Sequence, residues 1–294
     1  MRSPLRRELT RALYMVDRGW EQLVGWRALG IRRRDLVLDV GSGGHPFIRA
    51  DVLCDKFLLD HSQRQGGESL VVDRPLVIAD ATRLPFRDRT FDFSRSSHLL
   101  EHLDDPAAHL RELQRVSRRG VVITPSAAWE RLYPIAAHRW LITLAGGRLR
   151  VAARPEPVTD EAVARLFHGG LDRYGLSYFW NYFRDVFEVH YRWRETIEFE
   201  IAPGGPGPGH PAGPEPMDAP AGEVVDAPGK RRLKLLASRV VRRLCSAHYG
   251  ADLWSLVVCP ACHGPLDRRG ETVQCGQCAR TYGLHDGRIP VLLP

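Results

Sequence analysis

Short apolar runs that end in an acidic or turn residue recur through the first half of the chain. They lie at 36–40, 50–55, 77–80, 90–94 and 120–125. Apolar runs of this length, bounded by turn residues, are typical of parallel strands that are covered on both faces. A helix is predicted over 110–116, because apolar residues recur there at helical spacing. The pattern therefore predicts an α/β fold.

Two basic segments also show apolar residues at helical spacing. Residues 1–35 predict an N-terminal helical lid, and residues 230–250 predict a basic helix. In the second segment one apolar side is predicted, which consists of Leu233, Leu236, Val240, Val241 and Leu244. We expect both helices to pack against a folded domain, and contact with anionic lipid or RNA is the alternative interpretation.

Two longer stretches lack the apolar runs. Residues 126–176 mix aromatic and polar residues over a length too great for a bare loop. Within this stretch we expect a helix over 130–144, which Gly146 and Gly147 would end. Residues 203–229 consist mainly of Pro, Gly, Ala and acidic residues, and this composition predicts a linker.

Composition sets bounds on the architecture and on the partners. At 294 residues with 44% hydrophobic residues, the chain is long enough for one sizeable core and a small second module. The formal net charge of +7 favours anionic partners without choosing among them. The N-terminus lacks the apolar segment of a secretory signal, and no run is long enough and free enough of charge to span a bilayer. We therefore predict a cytoplasmic protein without a transmembrane segment.

Glycines follow the first apolar run directly. Gly41 and Gly43 permit positive φ angles and leave out the Cβ, so a ligand could lie against the backbone at the end of the strand. The sequence has no G-x-G-x-x-G and no P-loop lysine at this point. Acidic residues Asp55 and Asp80 end the next two runs, and the carboxylate of Asp55 is placed where it could accept both hydroxyls of a ribose. The pattern favours an adenosine ligand with few phosphates.

The order and spacing of several motifs carry a family resemblance. Between about residues 36 and 125 the chain contains LDVGSG, ADATRLPF, TFDF, HLLEHLDDP and LRELQRV. It thereby resembles the class I S-adenosylmethionine-dependent methyltransferases, and among them the type 11-like domains. The resemblance implies that Asp39, Gly41 and Gly43 hold the methionine end of the cofactor, Asp55 the ribose, and Asp80 and Ala81 the adenine. Because the stretch between Gly43 and Asp55 is short and contains Pro46, Asp51 and Asp60 are alternatives for the ribose.

The same resemblance implies the outline of the domain. It predicts a Rossmann-like seven-stranded sheet over 36–202, closed by an antiparallel pair of strands at 186–193 and 195–201. The insertion 126–176 is expected to cap the active site with helices. Aromatic residues of this insertion, Tyr133 and Trp140, are expected in the core, with a role as ligand platforms as the alternative.

His98 follows the fourth apolar run, at the edge where the methyl donor is expected. A histidine suits removal of a proton from a hydroxyl acceptor, so His98 is the candidate general base. Packing beside the cofactor is the equally weighted alternative. Glu101 and His102 are expected on the helix surface or as hydrogen-bond partners. The absence of an Asn-Pro-Pro-Tyr or Asp-Pro-Pro-Tyr motif here argues against methylation of planar amide or amine nitrogens and favours an oxygen.

Four cysteines near the C-terminus have the spacing of a metal site. Cys259, Cys262, Cys275 and Cys278 form two C-x-x-C pairs, which supply four thiolates for a tetrahedral structural zinc. Cys54 and Cys245 fall outside the pattern and are expected as packed thiols. The surrounding residues 251–294 resemble the Trm112-like zinc ribbons, separate subunits that activate methyltransferases acting on RNA and translation factors.

These observations predict a methyltransferase with a fused zinc ribbon. We expect oxygen methylation of a small-molecule or glycan acceptor. One alternative keeps the chemistry but makes the acceptor an RNA or a translation protein, with the ribbon as an activator in the same chain. The other alternative is a non-catalytic module that binds the cofactor or a partner.

Overall fold

The computed structural model describes residues 25–58, 70–133, 135, 137–155, 179–180, 182–204 and 228–293. Most of the predicted N-terminal lid and of the 203–229 linker lies outside these residues, as does Asp60. The end of the lid region forms a 3₁₀ helix over Gly25–Leu29, with Trp26 buried.

Five strands form the parallel centre of the main sheet. They are β1 (Val37–Val40), β2 (Val52–Asp55), β3 (Leu76–Ala79), β4 (Phe93–Ser97) and β5 (Arg119–Pro125). Every residue of β1, β2 and β3 is buried, which confirms strands covered on both faces. The fourth strand lies three residues later than predicted, because its polar second half is part of the sheet.

Helix α1 (Pro106–Val116) connects β4 to β5 and packs on the sheet. Its first turn holds a proline, and the Asp105 side chain caps it by accepting a hydrogen bond from the Ala108 amide at 2.8 Å. Leu110, Leu113 and Val116 form its buried face. The predicted helix is therefore confirmed, and it begins one turn earlier than the apolar spacing indicated.

The predicted helix over 130–144 is wrong. A short helix α2 (Ala127–Leu132) is followed by strands β6 (Trp140–Ala145) and β7 (Arg148–Ala153), which pair as an antiparallel hairpin. Gly146 and Gly147 have φ angles of +59° and +79°, as a two-residue hairpin turn requires. The glycines end a strand and not a helix, because β-branched and aromatic residues around them favour the extended backbone.

The predicted antiparallel pair near residue 190 is also wrong. After a single helical turn, α3 (Arg184–Phe187), strand β8 (Glu188–Arg194) pairs antiparallel with β5 at the edge of the main sheet. Strand β9 (Phe199–Ile201) pairs instead with β7, in parallel, and completes a separate three-stranded sheet. The two strands thus belong to different sheets.

The C-terminal strands continue the main sheet. They are β10 (Leu266–Arg269), β11 (Thr272–Cys275), β12 (Thr281–His285) and β13 (Ile289–Leu292). The last strand pairs in parallel with β3, where Val291 lies opposite Ile78. Among the described residues the main sheet therefore has ten strands, in the order β10-β11-β12-β13-β3-β2-β1-β4-β5-β8, which corrects the seven-stranded prediction.

Helix α4 (Pro228–Cys245) packs on the domain through polar side chains. Arg242 Nη2 donates to Asp73 Oδ2 at 3.1 Å, and Ser238 Oγ accepts from Arg74 Nη2 at 3.0 Å. Of the residues predicted as its packing side, Leu236, Val240 and Leu244 are exposed instead, and Val241 is half-buried. Packing on a domain is confirmed, but through the ion pairs with the segment before β3. Among the helices that the structure describes, none has the length and apolar character needed to cross a bilayer.

Candidate active site

The loop after β1 presents bare backbone at the carboxyl edge of the sheet. Gly41 and Gly43 have φ angles of +74° and +51°, a region that residues with side chains rarely adopt. A Cβ on Gly41 would lie 3.0 Å from Leu99 Cδ2, whereas a Cβ on Gly43 would meet no atom within 4 Å. Gly41 therefore permits close packing, and Gly43 leaves room for a ligand against the chain.

Asp39 stabilises the conformation of this loop. Its side chain is buried, and Oδ2 accepts a hydrogen bond from the Phe47 amide at 2.7 Å. Arg95 Nη1 lies 3.2 Å from Oδ1. Burial raises the pKa of Asp39 above its ordinary value, although Arg95 and the Phe47 amide oppose that shift. The carboxylate thus fixes the return of the loop toward residue 47.

The carboxylate of Asp55 lies at the end of β2, facing the same loop. Its Oδ2 accepts from the Gly43 amide at 2.9 Å, and its Oδ1 accepts from the Phe57 amide at 3.1 Å. Asp51, the alternative for the ribose, precedes β2 and lies at the opposite edge of the sheet. There it is buried and accepts from Arg49 at 2.9 Å and from Ser246 Oγ at 2.5 Å. The structure therefore brings Asp55, and not Asp51, beside the glycines.

Asp80 and Ala81 follow β3 at the same edge. Oδ1 of Asp80 accepts from the Thr82 amide and hydroxyl at 2.8 and 2.7 Å, and Oδ2 pairs with Lys56 Nζ at 2.8 Å. Burial acts to raise the pKa of Asp80, but the hydrogen bonds from Lys56 and Thr82 outweigh it and lower the pKa. Asp80 is therefore ionised at neutral pH.

A buried histidine that the sequence did not single out supports this loop. His109, on α1, contacts the Ala81 carbonyl through Nδ1 at 3.1 Å and Ser96 Oγ through Nε2 at 2.9 Å. A carbonyl only accepts, so Nδ1 carries the hydrogen and Nε2 accepts from the serine. Burial lowers the pKa of His109 to about 4, against weaker opposing effects of the Ala81 carbonyl and nearby acids. The neutral ring thereby joins α1, β4 and the Asp80 loop.

Substituting His109 by glutamine is expected to change how stability depends on pH. The folded-state pKa lies below the ordinary value of 6.5, so between pH 6.5 and about 4 the unfolded chain binds more protons and stability falls as pH falls. From pH 7 to pH 5 this loss is about 2 kcal/mol. Urea unfolding of both proteins at the two pH values measures it. A wild-type loss no larger than that of His109→Gln would contradict the assignment.

His98 lies between two buried carboxylates at the end of β4. Its Nδ1 is 3.5 Å from Glu101 Oε1, and its Nε2 is 3.5 Å from Glu188 Oε1. The side chain is 44% exposed, and the residue has a left-handed φ of +52°. This backbone conformation is uncommon for a residue with a side chain and is typical of functional sites.

The two carboxylates decide the charge of His98. Burial acts to lower the pKa of His98, but Glu101 and Glu188 outweigh it and raise the pKa to about 9. Burial acts to raise the pKa of Glu101, but His98 lowers it to about 2. The pKa of Glu188 is lowered too, because hydrogen bonds from His190 and His98 outweigh burial. His98 therefore holds a proton at neutral pH.

Aromatic residues border His98 on one side. The Trp180 ring centre lies 6.3 Å from that of His98, and its Nε1 donates to Glu188 Oε1 at 2.8 Å. Tyr133 stacks at 5.3 Å on Trp129, which in turn packs at 4.1 Å on Trp180. Trp140 is buried and donates to the Leu103 carbonyl at 2.7 Å, so it belongs to the core and not to a ligand platform.

The four C-terminal cysteines converge. Their four Sγ atoms all lie within 4.8 Å of one another, in Cys259, Cys262, Cys275 and Cys278. The Sγ atoms of Cys259 and Cys278 are 3.7 Å apart, and those of Cys262 and Cys275 are 3.5 Å apart. Thiolates bound at about 2.3 Å to a tetrahedral ion lie roughly 3.8 Å apart. The cluster has the size and the ligand set of a four-thiolate metal site.

Hydrogen bonds support two of these sulfurs. Tyr282 Oη lies 3.1 Å from Cys259 Sγ, and the Gln277 and Cys278 amides each donate to Cys275 Sγ at 3.4 Å. Of the cysteines outside the cluster, Cys54 is buried, and burial raises its pKa well above the ordinary value. Cys54 is a packed thiol, as predicted.

Known proteins are similar to the segment of the chain that contains this edge. A family model described as a methyltransferase domain matches residues 38–124. The demethylmenaquinone methyltransferase of Streptomyces avermitilis is 35% identical over 111 residues, which cover 35% of this chain and 46% of the relative. That of Beutenbergia cavernae is 34% identical over 152 residues, which cover 48% and 62%. The chain thus spans about half the length of the first of these relatives and less than two thirds of the second.

A solved structure is similar over a larger share. It is a chain from a complex between the Haloferax volcanii Trm112 methyltransferase activator and a methyltransferase, 14% identical with a TM-score of 0.34. The match covers 64% of this chain and 94% of that one. The family model, which spans nearly all of β1 to β5 and the segments between them, carries the assignment. Residues 38–124 of the chain are therefore a methyltransferase domain of the S-adenosylmethionine-dependent class.

Proposed function

We propose that the chain transfers a methyl group from S-adenosylmethionine to an oxygen of a small-molecule or glycan acceptor. The observation that carries the proposal is the bare backbone at Gly43, inside the segment that matches the methyltransferase model, with Asp55 and Asp80 at the neighbouring strand ends. Relatives named for demethylmenaquinone support an acceptor of small-molecule class.

The residues of the loop edge fit the cofactor that this activity needs. The methionine end would lie at Gly41 and Gly43, whose loop Asp39 holds in shape. The ribose would contact Asp55, and the adenine edge would contact Asp80 and Ala81. The open space where a Gly43 Cβ would project supports this fit. When bound, S-adenosylmethionine supplies an electrophilic methyl group on a sulfonium, so the protein has mainly to align the acceptor with it.

His98 remains the candidate for the acceptor side of the site. Its ring is half-exposed beside the loop edge, and Glu101 and Glu188 fix both ring nitrogens. The general-base role requires the ring to release its own proton before it takes one from a hydroxyl. The alternative, packing beside the cofactor, requires no such change. Kinetics of a His98 variant separate the two and are treated in the Discussion.

We propose in addition that the four cysteines bind a structural zinc ion and that 251–294 is a Trm112-like ribbon. Four thiolates leave no open position for a substrate, so the ion would stabilise and not catalyse. Strand β13, which belongs to the proposed ribbon, pairs with β3, the strand that precedes Asp80. This contact favours the second candidate function, methylation of an RNA or translation protein with the ribbon as an activator in the same chain.

Adding a side chain at Gly43 tests the proposed cofactor position. Gly43→Ala is expected to raise the Kd for S-adenosylmethionine at least about tenfold, equivalent to 1.4 kcal/mol, because its Cβ enters the space that the cofactor would fill. Isothermal titration calorimetry on the full chain measures it. Gly270→Ala is the matched control, since Gly270 has a similar φ of +64° and no atom within 4 Å of its Cβ position.

Equal binding by Gly43→Ala and the wild type would contradict the position. Labelled S-adenosylmethionine, incubated with the full chain and cell extracts, then identifies the acceptor class. Label on small molecules supports the first function, and label on RNA or protein supports the second. Tight cofactor binding without transfer to any fraction would instead indicate the non-catalytic module.

A further inference from the structure

Three metal-binding side chains meet beside His98, outside the residues that the methyltransferase proposal uses for the cofactor. Glu101 and His102 belong to the 3₁₀ helix Leu100–His102, and His138 lies in the loop before β6. One carboxylate oxygen of Glu101 and one ring nitrogen of each histidine lie within 4.8 Å of one another. Two imidazoles and a carboxylate are a common ligand set for zinc and ferrous iron.

Each histidine is already oriented through one ring nitrogen. His102 Nδ1 lies 3.3 Å from the Ala137 carbonyl, and His138 Nδ1 contacts Glu130 Oε1. A carbonyl and a carboxylate only accept, so each Nδ1 carries a hydrogen, and Nε2 is the ring nitrogen left to bind a metal. Metal-bound histidines have this arrangement, in which an outer carbonyl or carboxylate fixes the tautomer. These two contacts at Nδ1 therefore leave both Nε2 atoms available as ligands.

Glu101 completes the set with a buried oxygen. The side chain is 1% exposed, and Thr124 Oγ1 donates to its Oε2 at 2.9 Å. Its Oε1 makes no hydrogen bond and faces His98 Nδ1 at 3.5 Å. A buried carboxylate oxygen without a hydrogen bond is rare in folded proteins. This oxygen is held by the ion pair with His98, which a bound cation would replace.

Arg154 and His98 lie beside the carboxylates of this cluster and influence which cation could bind there. Glu130 pairs with Arg154 at 3.5 Å as well as with His138, so its single negative charge is shared between the two. His98 competes with any cation for Glu101. A cation that binds through two neutral imidazoles depends less on carboxylate charge than calcium or magnesium does. The donor set therefore selects a transition metal.

We propose that Glu101, His102 and His138 form a binding site for a divalent transition-metal ion of the zinc or ferrous class. Ligands held at roughly 2.1 Å from one ion lie about 3–4 Å apart, so small rotations of the two rings close the site around it. Three protein ligands leave a coordination position open for water or an acceptor oxygen. Binding of the ion does not depend on the proposed methyltransferase function. A role of the ion in methyl transfer would rest on that function.

Zinc stoichiometry of the full chain tests the proposal. After saturation with Zn²⁺ and gel filtration, elemental analysis is expected to give two zinc ions per wild-type chain, one of them at the cysteines. His102→Gln is expected to retain one ion and to weaken the second binding event more than tenfold in calorimetry. His285→Gln, a partly exposed histidine outside the cluster, is the control and is expected to retain both.

A second variant and a spectrum keep the result interpretable. Glu130→Gln, which alters the outer partner of His138 and none of the three proposed ligands, is expected to weaken the second event by about 10–100-fold. Co²⁺ at this site would add visible bands without the thiolate-to-cobalt absorption of the cysteine site, and His102→Gln would remove only those bands. A wild-type chain that binds one ion, or a folded His102→Gln chain that binds two as tightly as the wild type, overturns the proposal.

Discussion

Replacing Cys275 by serine is expected to release the zinc ion proposed for the cysteine cluster and to lower the Tm of the whole chain by roughly 10 °C or more. A structural zinc ion contributes its binding free energy to folding, and losing one of four thiolates removes most of it. The effect extends beyond the ribbon because Leu253, Val257 and Leu292 belong to the same apolar core as β1 and β3. A module of this size cannot keep that arrangement through apolar burial alone.

The pairing of β13 with β3 connects the cysteine cluster to the sheet edge where the cofactor is proposed, so loss of the zinc ion is expected to affect that edge. Leu292 lies opposite Ala79, the residue before Asp80, in a parallel register. When the ribbon unfolds, β3 becomes an edge strand, and its exposed backbone groups lose their partners. We therefore expect Cys275→Ser to increase hydrogen exchange at 76–80 as well as within 259–292.

Cys245→Ser is the matched control, because Cys245 is a free cysteine outside the cluster. Zinc content by elemental analysis, Tm by calorimetry and hydrogen exchange by mass spectrometry are measured on all three proteins. Full zinc content together with an unchanged Tm in Cys275→Ser would contradict the structural role. Loss of zinc with an unchanged exchange rate at β3 would show that the ribbon does not support the neighbouring strand.

The centre of the sheet was predictable from the sequence because its signal is local. Buried parallel strands are nearly continuous apolar runs, and the residues of β1, β2 and β3 are buried throughout. The hairpin β6–β7 was not predicted, since two glycines after apolar residues fit both a helix end and a hairpin turn. The partner of β13 was not predictable either, because parallel pairing between residues 78 and 291 leaves no local mark.

In the candidate site, too, the residues with a local sequence signal were predicted, and those that depend on tertiary packing were not. Gly41, Gly43, Asp55 and Asp80 follow strand ends, so the parallel sheet brings them to one edge, as the sequence indicated. Glu188 reaches His98 only because β8 pairs antiparallel with β5, where Glu188 lies opposite Pro125. His109 and the Glu101 cluster depend likewise on how α1 and the loop before β6 pack. Groups that act through tertiary contacts are the ones that sequence reasoning missed.

Replacing His98 by asparagine is expected to lower kcat by about 100-fold if the imidazole serves the acceptor as a general base. Asparagine tolerates the left-handed φ of +52° at this position, so the variant should keep the backbone. It removes the ring that faces both Glu101 and Glu188. The Kd for S-adenosylmethionine should remain within a factor of about three, since the proposed cofactor residues are unchanged.

His190→Asn is the matched control for the lost carboxylate contact. His190 also contacts Glu188, at 2.7 Å between Nε2 and Oε2, but it lies on β8 without the contact to Glu101. If removing a partner of Glu188 were enough to slow the reaction, both variants would lose activity alike. A fall in kcat confined to His98→Asn supports a part in proton transfer. A change of less than about tenfold, together with a lower Tm, assigns His98 to packing, because a general base contributes at least about a hundredfold.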